Sequence, residues 1–583
     1  MTKKQKLELT WIGKEHRPKL EPRILLEDPE KSYHAAHRVT ESDLFDNRLI
    51  FGDNLLALKA LEAEFAGKVK CAYIDPPFNT GEAFDHYDDG LEHSVWLNMM
   101  SHRIHSIYKL LSSDGSLFIH IDDNELAYLI AIGDEIFGRR NRINVITFKQ
   151  SSASGPKSIN PGLVTTNNYI VYYAKNKENW TPNKIYSRTS RDPRYSRFID
   201  NFEDGEKKWN LISLKDAFLR FHEIDSWDLA KAAFADRIEA KMEDFVLNNA
   251  ERVVRTARVA EKDVNEFARE ALKLSKKEKD TVFRSERDGK SDYYFLNGEQ
   301  LIFYISKTRV IDGGLYTAIP LTNLWDDLLS NNLHKEGGVR FRNGKKPEAL
   351  IKRCLELSTA PEDLVLDSFA GSGTTGAVAH KMGRRWIMVE LGEHCHTHAV
   401  PRLKRVVNGL DDSGITKAMN WKGGGGFRYY KLAPSLLKQD KWGRWVINPE
   451  FNAEMLAEAL CKLKGFTYAP SDTLYWQHGY STERDFIYVT TQNLSHDQLA
   501  QLADEVGTDR TLLVLCKAFR GRPNFPNLTI KKIPKDVRDR CEWDHDDYSL
   551  QVENLPKAPP ELIEDAPEPP PSPTNEVQQF TLF

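Results

Sequence analysis

The side chains best suited to chemistry lie in residues 71–81, whose sequence is CAYIDPPFNTG. An apolar run ends there in Asp75, Pro76, Pro77 and Phe78. Because two consecutive prolines fix φ and have no N–H to donate, a strand is predicted to end at this point. A carboxylate, backbone carbonyls and an aromatic ring would then lie at the carboxyl edge of a sheet, where open α/β folds bind ligands. Acceptors beside a stacking ring suit a planar group bearing an NH2, such as adenine.

A second motif, suited to binding a nucleoside, lies far downstream in residues 363–376, whose sequence is DLVLDSFAGSGTTG. It predicts a buried strand, a turn at Gly371 and Gly373, and a helix that Thr374 and Thr375 can cap. The strand that follows ends in Glu390, and an acid in this place commonly accepts hydrogen bonds from the ribose of an adenosine cofactor. The glycine pair alone is weak evidence, because dinucleotide-binding enzymes share it.

Together the two motifs resemble those of the amino-methyltransferases, which methylate exocyclic amines of DNA bases. Asp-Pro-Pro-Phe resembles their catalytic motif, and Asp-x-Phe-x-Gly-x-Gly is similar to their S-adenosylmethionine motif. The catalytic motif comes first, which is the permuted order of the β-class. The resemblance covers most of residues 1–430 and looks especially like the modification subunits of type III restriction systems and their solitary relatives. Further segments in that family's order are residues 49–54, 96–100, 115–125, 168–175, 324–327 and 341–347.

The resemblance implies a role for the individual residues of both motifs. It implies catalytic roles for Asp75, Pro76, Pro77 and Phe78. It also implies that S-adenosyl-L-methionine is the cofactor, and that the residues binding it are Asp367, Phe369, Gly371, Gly373, Thr374, Glu390 and Lys346.

The chemistry that follows from this resemblance is direct transfer of a methyl group to an exocyclic amine. Asp75 and the carbonyl of Pro76 would accept the two amine protons, and Phe78 would stack on a base flipped out of the duplex. Asp as the first motif residue resembles the adenine-N6 enzymes, since cytosine-N4 enzymes more often have serine there. The alternatives are a cytosine-N4 or RNA methyltransferase, and a non-catalytic DNA-binding or clamp-associated protein that keeps the fold.

The implied fold is α/β, a doubly wound and mostly parallel methyltransferase sheet with permuted motif order. The predicted domains are a catalytic half at 1–180, a target-recognition insertion at 181–335, a cofactor-binding half at 336–427, a small C-terminal α/β domain at 428–545, and a disordered tail at 546–583. In the small domain, residues 486–491 and 511–516 are predicted strands, and a helix is predicted from Ser495 to about Val506.

Double-stranded DNA is the partner that the resemblance implies. The net charge of the chain is −4, so affinity for DNA must come from a local basic surface. The insertion contains candidate cations interleaved with aromatic residues: Lys184, Arg188, Arg191, Arg194 and Arg197, with Tyr186, Tyr195 and Phe198. This composition suits phosphate contacts and base stacking, and a solvated loop is the alternative.

A metal site and a membrane location are not predicted. His394 and His398 could share one helix face as metal ligands, but no further ligand set is evident. The six cysteines lack CxxC spacing, which fits reduced thiols and a cytoplasmic location. No apolar run approaches the length of a membrane span.

The end of the chain suggests a partner of its own. Residues 555–575 are rich in proline and acid, which predicts a solvated, extended linker. The final peptide, which includes Gln579, Phe580, Leu582 and Phe583, resembles the sliding-clamp-binding peptides of bacterial replication proteins. A tether to the clamp is therefore a hypothesis, and a frayed end or a peptide docked on its own protein is the alternative. A homodimer and a restriction subunit are expected by resemblance only.

Overall fold

The structure, a computed structural model, describes residues 8–78, 93–152, 162–311, 313–328, 333–341, 344–521 and 524–548. Its contacts divide the chain into two compact units. The larger unit combines Met1–Pro182 with Asn323–Phe583, and the smaller unit is Asn183–Thr322. The predicted clamp peptide and the tail beyond residue 548 lie outside the described residues.

The described elements fall into four stretches of the chain. The first contains β1 (Leu25–Glu27), β2 (Tyr33–His34), β3 (Asn47–Phe51), α1 (Asn54–Phe65), β4 (Val69–Ile74), α2 (His93–Leu110), β5 (Leu111–Ile121), α3 (Leu126–Gly133), β6 (Arg142–Lys149) and β7 (Asn167–Ala174). The insertion contains β8 (Tyr186–Arg188), β9 (Arg197–Ile199), β10 (Leu211–Ser213), α4 (Leu214–Phe221), α5 (Trp227–Phe234), α6 (Ile238–Asn248), β11 (Val253–Ala257), α7 (Glu266–Lys277), β12 (Phe283–Ser285), β13 (Tyr293–Leu296), β14 (Glu299–Phe303), β15 (Thr308–Ile311) and β16 (Gly314–Pro320).

The third stretch contains β17 (Leu324–Trp325), α8 (Glu348–Ser358), β18 (Leu364–Asp367), α9 (Thr374–Lys381), β19 (Arg385–Glu390), α10 (Val400–Val407) and β20 (Gly426–Leu432). The fourth contains β21 (Leu437–Gln439), β22 (Trp445–Ile447), α11 (Ala453–Lys464), β23 (Thr467–Tyr468), β24 (Gly479–Tyr480), β25 (Asp485–Val489), β26 (Asn493–Leu494), α12 (His496–Val506), β27 (Thr511–Cys516), β28 (Ala518–Phe519) and β29 (Leu528–Lys532). In the part of the chain that is described, no helix is long and apolar enough to cross a bilayer.

One eleven-stranded sheet forms the centre of the larger unit. Its order is β1-β20-β3-β19-β18-β4-β5-β7-β6-β17, and β2 pairs with β20. The six strands from β20 to β5 run parallel to one another. Strand β7 is antiparallel to both β5 and β6, and β1 and β2 are antiparallel to β20. The predicted mostly parallel α/β sheet is confirmed.

The strands that carry the two motifs are direct neighbours in this sheet. Val365 of β18 pairs with Cys71 of β4, and Leu366 pairs with Ala72. Every residue of β18 is buried, and β4 is buried except at Lys70. Because the two strands are parallel, their carboxyl ends lie at the same edge of the sheet. Segments far apart in the sequence therefore end side by side.

The insertion has two sheets of its own, and its end differs from the predicted boundary at 335. Six strands form the order β10-β9-β11-β14-β13-β12, and β15, β16 and β8 form a second sheet. The smaller unit ends at Thr322, because the two-residue strand β17 pairs with β6 in the main sheet. So short a strand has no sequence signal that separates it from a loop.

The C-terminal region contains a five-stranded sheet, β23-β24-β25-β27-β29. Its predicted strands correspond to β25 and β27, and its predicted helix is α12, which Ser495 and Gln498 start with a capping box. These element predictions are confirmed. The predicted domain start at 428 falls inside β20, which pairs with β3 in the main sheet.

A cluster of buried charges joins the helices around the second motif. Lys381 Nζ lies 2.7 Å from both Glu348 Oε2 and Asp411 Oδ2. Arg402 donates to Glu348 Oε1 at 2.9 Å and to Thr374 Oγ1 at 2.7 Å. The side chains of Lys381, Glu348 and Arg402 have no exposed surface. Buried charges need such pairing, so the cluster fixes α8, α9 and α10 relative to each other.

Replacing Lys381 by methionine removes the buried cation shared by Glu348 and Asp411. We expect the free energy of unfolding to fall by about 3–5 kcal/mol, the usual cost of removing one partner from a buried ion pair. Urea unfolding followed by circular dichroism measures this change. The control is Lys417→Met, at an exposed position, which should change stability by less than about 0.5 kcal/mol. Equal effects in the two variants would contradict a structural role for the cluster.

Candidate active site

The chain leaves the sheet at the end of β4, where residues 75–78 have no regular structure. The Pro77 carbonyl accepts a hydrogen bond of 2.7 Å from Nε1 of Trp96, a fully buried residue of α2. Within the described ranges, nothing donates to the carbonyl of Pro76. The turn is thus anchored at one proline, and the carbonyl of the other is left as an acceptor beside Asp75.

The carboxylate of Asp75 has one occupied and one open oxygen. Lys346 Nζ lies 2.5 Å from Oδ2. Oδ1 is buried and has no hydrogen-bond partner among the residues that the structure describes. Burial raises the pKa of Asp75, and the charge of Lys346 opposes that increase. An unpaired buried carboxylate oxygen is costly unless a donor reaches it, which indicates a place for a donor on a ligand.

Phe78 lies beside His120, with 5.8 Å between ring centroids and 30° between ring planes. Lys346 Nζ is 5.0 Å from the Phe78 centroid. His120 belongs to β5 and is buried, which lowers its pKa well below its usual value, and Lys346 lowers it further. The ring is therefore neutral. Its nitrogens contact Tyr73 Oη at 3.0 Å and Asn168 Nδ2 at 3.1 Å.

The carboxylate at the end of β18 braces the glycine turn. Asp367 Oδ1 accepts from the Phe369 backbone N–H at 2.9 Å, and Oδ2 accepts from Thr375 Oγ1 at 2.5 Å. Burial raises the pKa of Asp367 to about 7, and the charges of Asp75 and Glu390 add to the increase. That coupling agrees with both motifs lying in one place.

The glycine turn and the acid of β19 are in direct contact. Gly371 and Gly373 have φ of 51° and 78°, in the left-handed region where glycine carries no Cβ penalty. The Gly371 N–H donates to Glu390 Oε2 at 2.7 Å, and Glu390 Oε1 accepts from the Gly392 N–H at 3.0 Å. An acid beside side-chain-free backbone at a sheet edge suits the ribose of a nucleoside.

The predicted cap by Thr374 and Thr375 is wrong. Gly373 occupies the N-cap position of α9, and no side chain caps this helix. Thr374 Oγ1 instead accepts the hydrogen bond from Arg402, and the neighbouring Thr375 hydroxyl is held by Asp367. Buried donors and acceptors nearby compete for these hydroxyls more strongly than the helix end does.

Residues 52–54 connect α1 to the same edge. Asn54 Nδ2 donates to the Ser368 carbonyl at 2.7 Å, and Arg103 donates to Asn54 Oδ1. Asp53 caps α1 through the backbone N–H groups of Leu55 and Leu56. Ser368 Oγ is buried without a partner among the described residues. This orphaned hydroxyl in the turn after β18 fits a site that holds a polar ligand.

Three residues that shape the site had no predicted role: His120, Asn168 and Trp96. A histidine in the apolar run of β5 was the available signal for His120. The neighbours of His120 across the sheet depend on the register of β5 and β7. In that register His120 pairs with Ile170. The ammonium of Lys346, predicted to bind the cofactor, lies 2.5 Å from Asp75 Oδ2, and its role towards the cofactor stays a prediction.

Three of the five cations predicted to contact DNA are engaged within the insertion. They are Arg188 on the ring of Tyr316 (3.7 Å from guanidinium carbon to centroid), Arg191 with Glu239 (3.4 Å) and Arg194 with Asp192 (2.7 Å). Lys184 and Arg197 are exposed, and neither has an ion-pair partner in the described ranges.

Two of the aromatic residues predicted to stack on bases are buried. Tyr195 is 1% exposed and Phe198 is 6% exposed, in the apolar core of the insertion. The stacking prediction is wrong for both. Phe198 belongs to β9, an interior strand paired with β10 and β11, and Tyr195, which precedes β9, packs edge-on against Tyr304 with 4.9 Å between ring centroids. Tyr186 is only partly buried, and Arg309 lies over its ring at 4.5 Å.

The histidines considered as metal ligands have other contacts. His394 Nε2 lies 3.0 Å from Glu390 Oε1, and His398 Nε2 is 3.1 Å from the Arg340 carbonyl. Across the described ranges, no three His, Cys, Asp or Glu side chains are grouped to hold a metal ion.

Comparison with known proteins gives one family. Residues 69–401 match the N6/N4 methyltransferase family described as DNA methylase. The chain is 36% identical over 411 residues to the protein named probable type III restriction-modification enzyme HindVI Mod subunit, from Haemophilus influenzae, covering 67% of this chain and 54% of that protein. It is 25% identical to the EcoP15I Mod subunit of Escherichia coli, over 75% of this chain and 73% of that protein.

The matched part of the chain thus spans about half the length of the Haemophilus relative. Among solved structures, the cytosine-N4-specific PvuII DNA methyltransferase is 15% identical with a TM-score of 0.30, over 65% of this chain and 93% of that chain. A TM-score this low supports no conclusion. The family match covers more than half of the chain and contains both motifs of the shared sheet edge, so this protein belongs to the DNA methylase family, whose methyl donor is S-adenosylmethionine.

Proposed function

We propose that this chain is a site-specific DNA methyltransferase that transfers a methyl group from S-adenosylmethionine to N6 of adenine. One observation carries the proposal: β18 and β4 are parallel neighbours. A nucleoside held at the glycine turn and a base held at residues 75–78 would therefore meet at one edge. The relatives named as type III Mod subunits support this class of reaction.

The cofactor would be held by the turn after β18 and the end of β19. Gly371 and Gly373 let the backbone approach it closely, and Glu390 is placed to accept from ribose hydroxyls. The other residues proposed to support it are Asp367, Phe369 and Thr374, which fix the shape of the turn. When bound, S-adenosylmethionine supplies a methyl group activated by a positively charged sulfur.

The catalytic residues would act on the amine of a flipped base. An exocyclic amine is a poor nucleophile, because its lone pair is delocalised into the ring. If Asp75 Oδ1 and the Pro76 carbonyl accept its protons, the lone pair is localised on nitrogen and is aimed at the methyl group. Phe78 would stack on the base. Alignment and charge stabilisation then suffice, without a covalent link between enzyme and base.

The position of Asp75 also suits the charge that develops. As the new N–C bond forms, positive charge passes to the amine, and the adjacent carboxylate stabilises it. The amine then loses one proton. Because burial raises the pKa of Asp75, this carboxylate is a better acceptor for that proton than an exposed aspartate.

Adenine is favoured as the target over cytosine by the aspartate at the first motif position. A partner restriction subunit is proposed because both relatives are named as subunits of type III restriction-modification enzymes. A homodimer, a sliding clamp bound by the terminal peptide, and a cytoplasmic location stay predictions from the sequence.

Asp75→Ala tests the proposed reaction. We expect the purified wild-type chain, incubated with labelled S-adenosylmethionine and duplex DNA, to produce N6-methyladenine in nucleoside digests. In the variant, kcat should fall by at least about 100-fold, while cofactor binding stays measurable by calorimetry. Asp509→Ala, at an exposed position of the C-terminal sheet region, should behave as wild type. Near-normal turnover in Asp75→Ala, or a methylated cytosine product, would contradict the proposal.

Lys184 and Arg197 test the proposed DNA surface of the insertion. Replacing either with alanine should weaken binding to all duplex sequences alike and reduce the slope of log affinity against log salt by about 0.9, the value for one lost phosphate contact. Fluorescence anisotropy over a salt series measures the slope. Lys279→Ala is the control, since this lysine is exposed in the same unit. Unchanged slopes would rule out phosphate contacts by these two residues.

A further inference from the structure

Lys346 contacts two of the residues that are proposed to bind the target base. Its ammonium donates to the Asp75 carboxylate at 2.5 Å, as an exocyclic amine would. It also lies 5.0 Å from the centroid of Phe78, the ring proposed to stack on the base. Both contacts place the ammonium among the residues proposed to bind the base.

We propose that Lys346 is a positioning residue for methyl transfer: it holds Oδ2 of Asp75 so that the ionised carboxylate presents Oδ1 to the target amine. This inference rests on the proposed function, because it assigns a task within the same site. The open, buried Oδ1 is the observation that separates the two oxygens.

The segment around Lys346 is rigid enough for that task. The neighbouring Lys345 Nζ donates to the carbonyls of Glu336 and Val339, each at 2.6 Å. Pro347 follows directly and is the N-cap of α8, with φ fixed by its ring. Both flanks of Lys346 are therefore anchored, so its side chain loses little further freedom in reaching Asp75.

The charge of Lys346 is needed because Asp75 is buried. An isolated buried carboxylate takes up a proton instead of staying charged. A protonated acid has lost acceptor capacity, so it would bind the amine less well. Lys346 is the cation that opposes this effect of burial on the pKa of Asp75.

The other titratable groups around Asp75 do not replace this cation. Tyr73 lies on β4, two residues before Asp75. Burial raises the pKa of Tyr73 well above its usual value, so its hydroxyl is neutral. His120 on β5 is neutral because burial lowers its pKa. Asp367, at the end of β18, carries the same sign of charge as Asp75 when ionised, and its pKa is about 7. Glu390 acts on Asp367 from β19.

The test compares Lys346→Met and Lys346→Arg with the wild type. Without the ammonium, nothing offsets the effect of burial as Lys346 does, so the pKa of Asp75 should rise further. We therefore expect kcat/KM for DNA in Lys346→Met to fall at least about tenfold at neutral pH and to recover as the pH rises. The acidic limb of the pH profile of kcat/KM, which reports the free enzyme, moves to higher pH. Lys346→Arg keeps the charge and should restore much of the activity and the original limb.

Two measurements make the test specific. Calorimetry should show the same affinity for S-adenosylmethionine in wild type and Lys346→Met. Thermal unfolding should show that both variants fold. Lys335→Met, an exposed position in the preceding turn, is the matched control and should leave the pH profile unchanged.

Each outcome bears on one proposal or both. An unshifted acidic limb with weakened cofactor binding would overturn the positioning role and make Lys346 a cofactor ligand, as the sequence predicted. An unshifted limb with unchanged cofactor binding would overturn it as well. A wild-type chain that methylates no DNA would overturn the proposed function and the role of Lys346 together.

Discussion

The parallel pairing of β18 with β4 is the constraint on which the site depends. The register of this pairing places Val365 opposite Cys71 and Leu366 opposite Ala72, and burial of both strands fixes it. A shift by one residue would turn the apolar side chains of β18 to the opposite face. Since both strands run in one direction, a carboxylate and a glycine turn from distant parts of the chain end together. The proposed chemistry needs no other element to bring them together.

Other parts of the larger unit fix the geometry of the sheet edge at the ends of β4 and β18. Hydrogen bonds hold the glycine turn from three directions, through Asp367, Glu390 and Arg402. Arg402 belongs in turn to the buried charge cluster that joins three helices. Burying the charges of such a network costs desolvation free energy. The network therefore contributes more to fixing the geometry of the turn than to the stability of the fold. A turn fixed before the ligand arrives leaves less entropy to lose on binding.

Local rules predicted the parts of the site that local sequence determines. Consecutive prolines end β4 just before Asp75, and the glycines at 371 and 373 permit the left-handed turn, independently of the rest of the fold. The contact of Lys346 with Asp75 could not be predicted, because it depends on how the loop before α8 crosses the edge. Thr374 was wrongly predicted to cap α9, because Arg402 on α10 donates a hydrogen bond to its hydroxyl. Strand β17 was missed because two residues show no periodicity.

The proposed reaction requires one pocket to hold both the methyl donor and the target amine. The most direct measurement is a crystal structure of this chain with an S-adenosylmethionine analogue that carries an amine in place of the transferable methyl group. We expect the adenosine part on Gly371 and Glu390, with that amine directed towards Asp75. An analogue bound elsewhere, or bound at the turn with its amine directed away from Asp75, would show that the two motifs do not form one pocket.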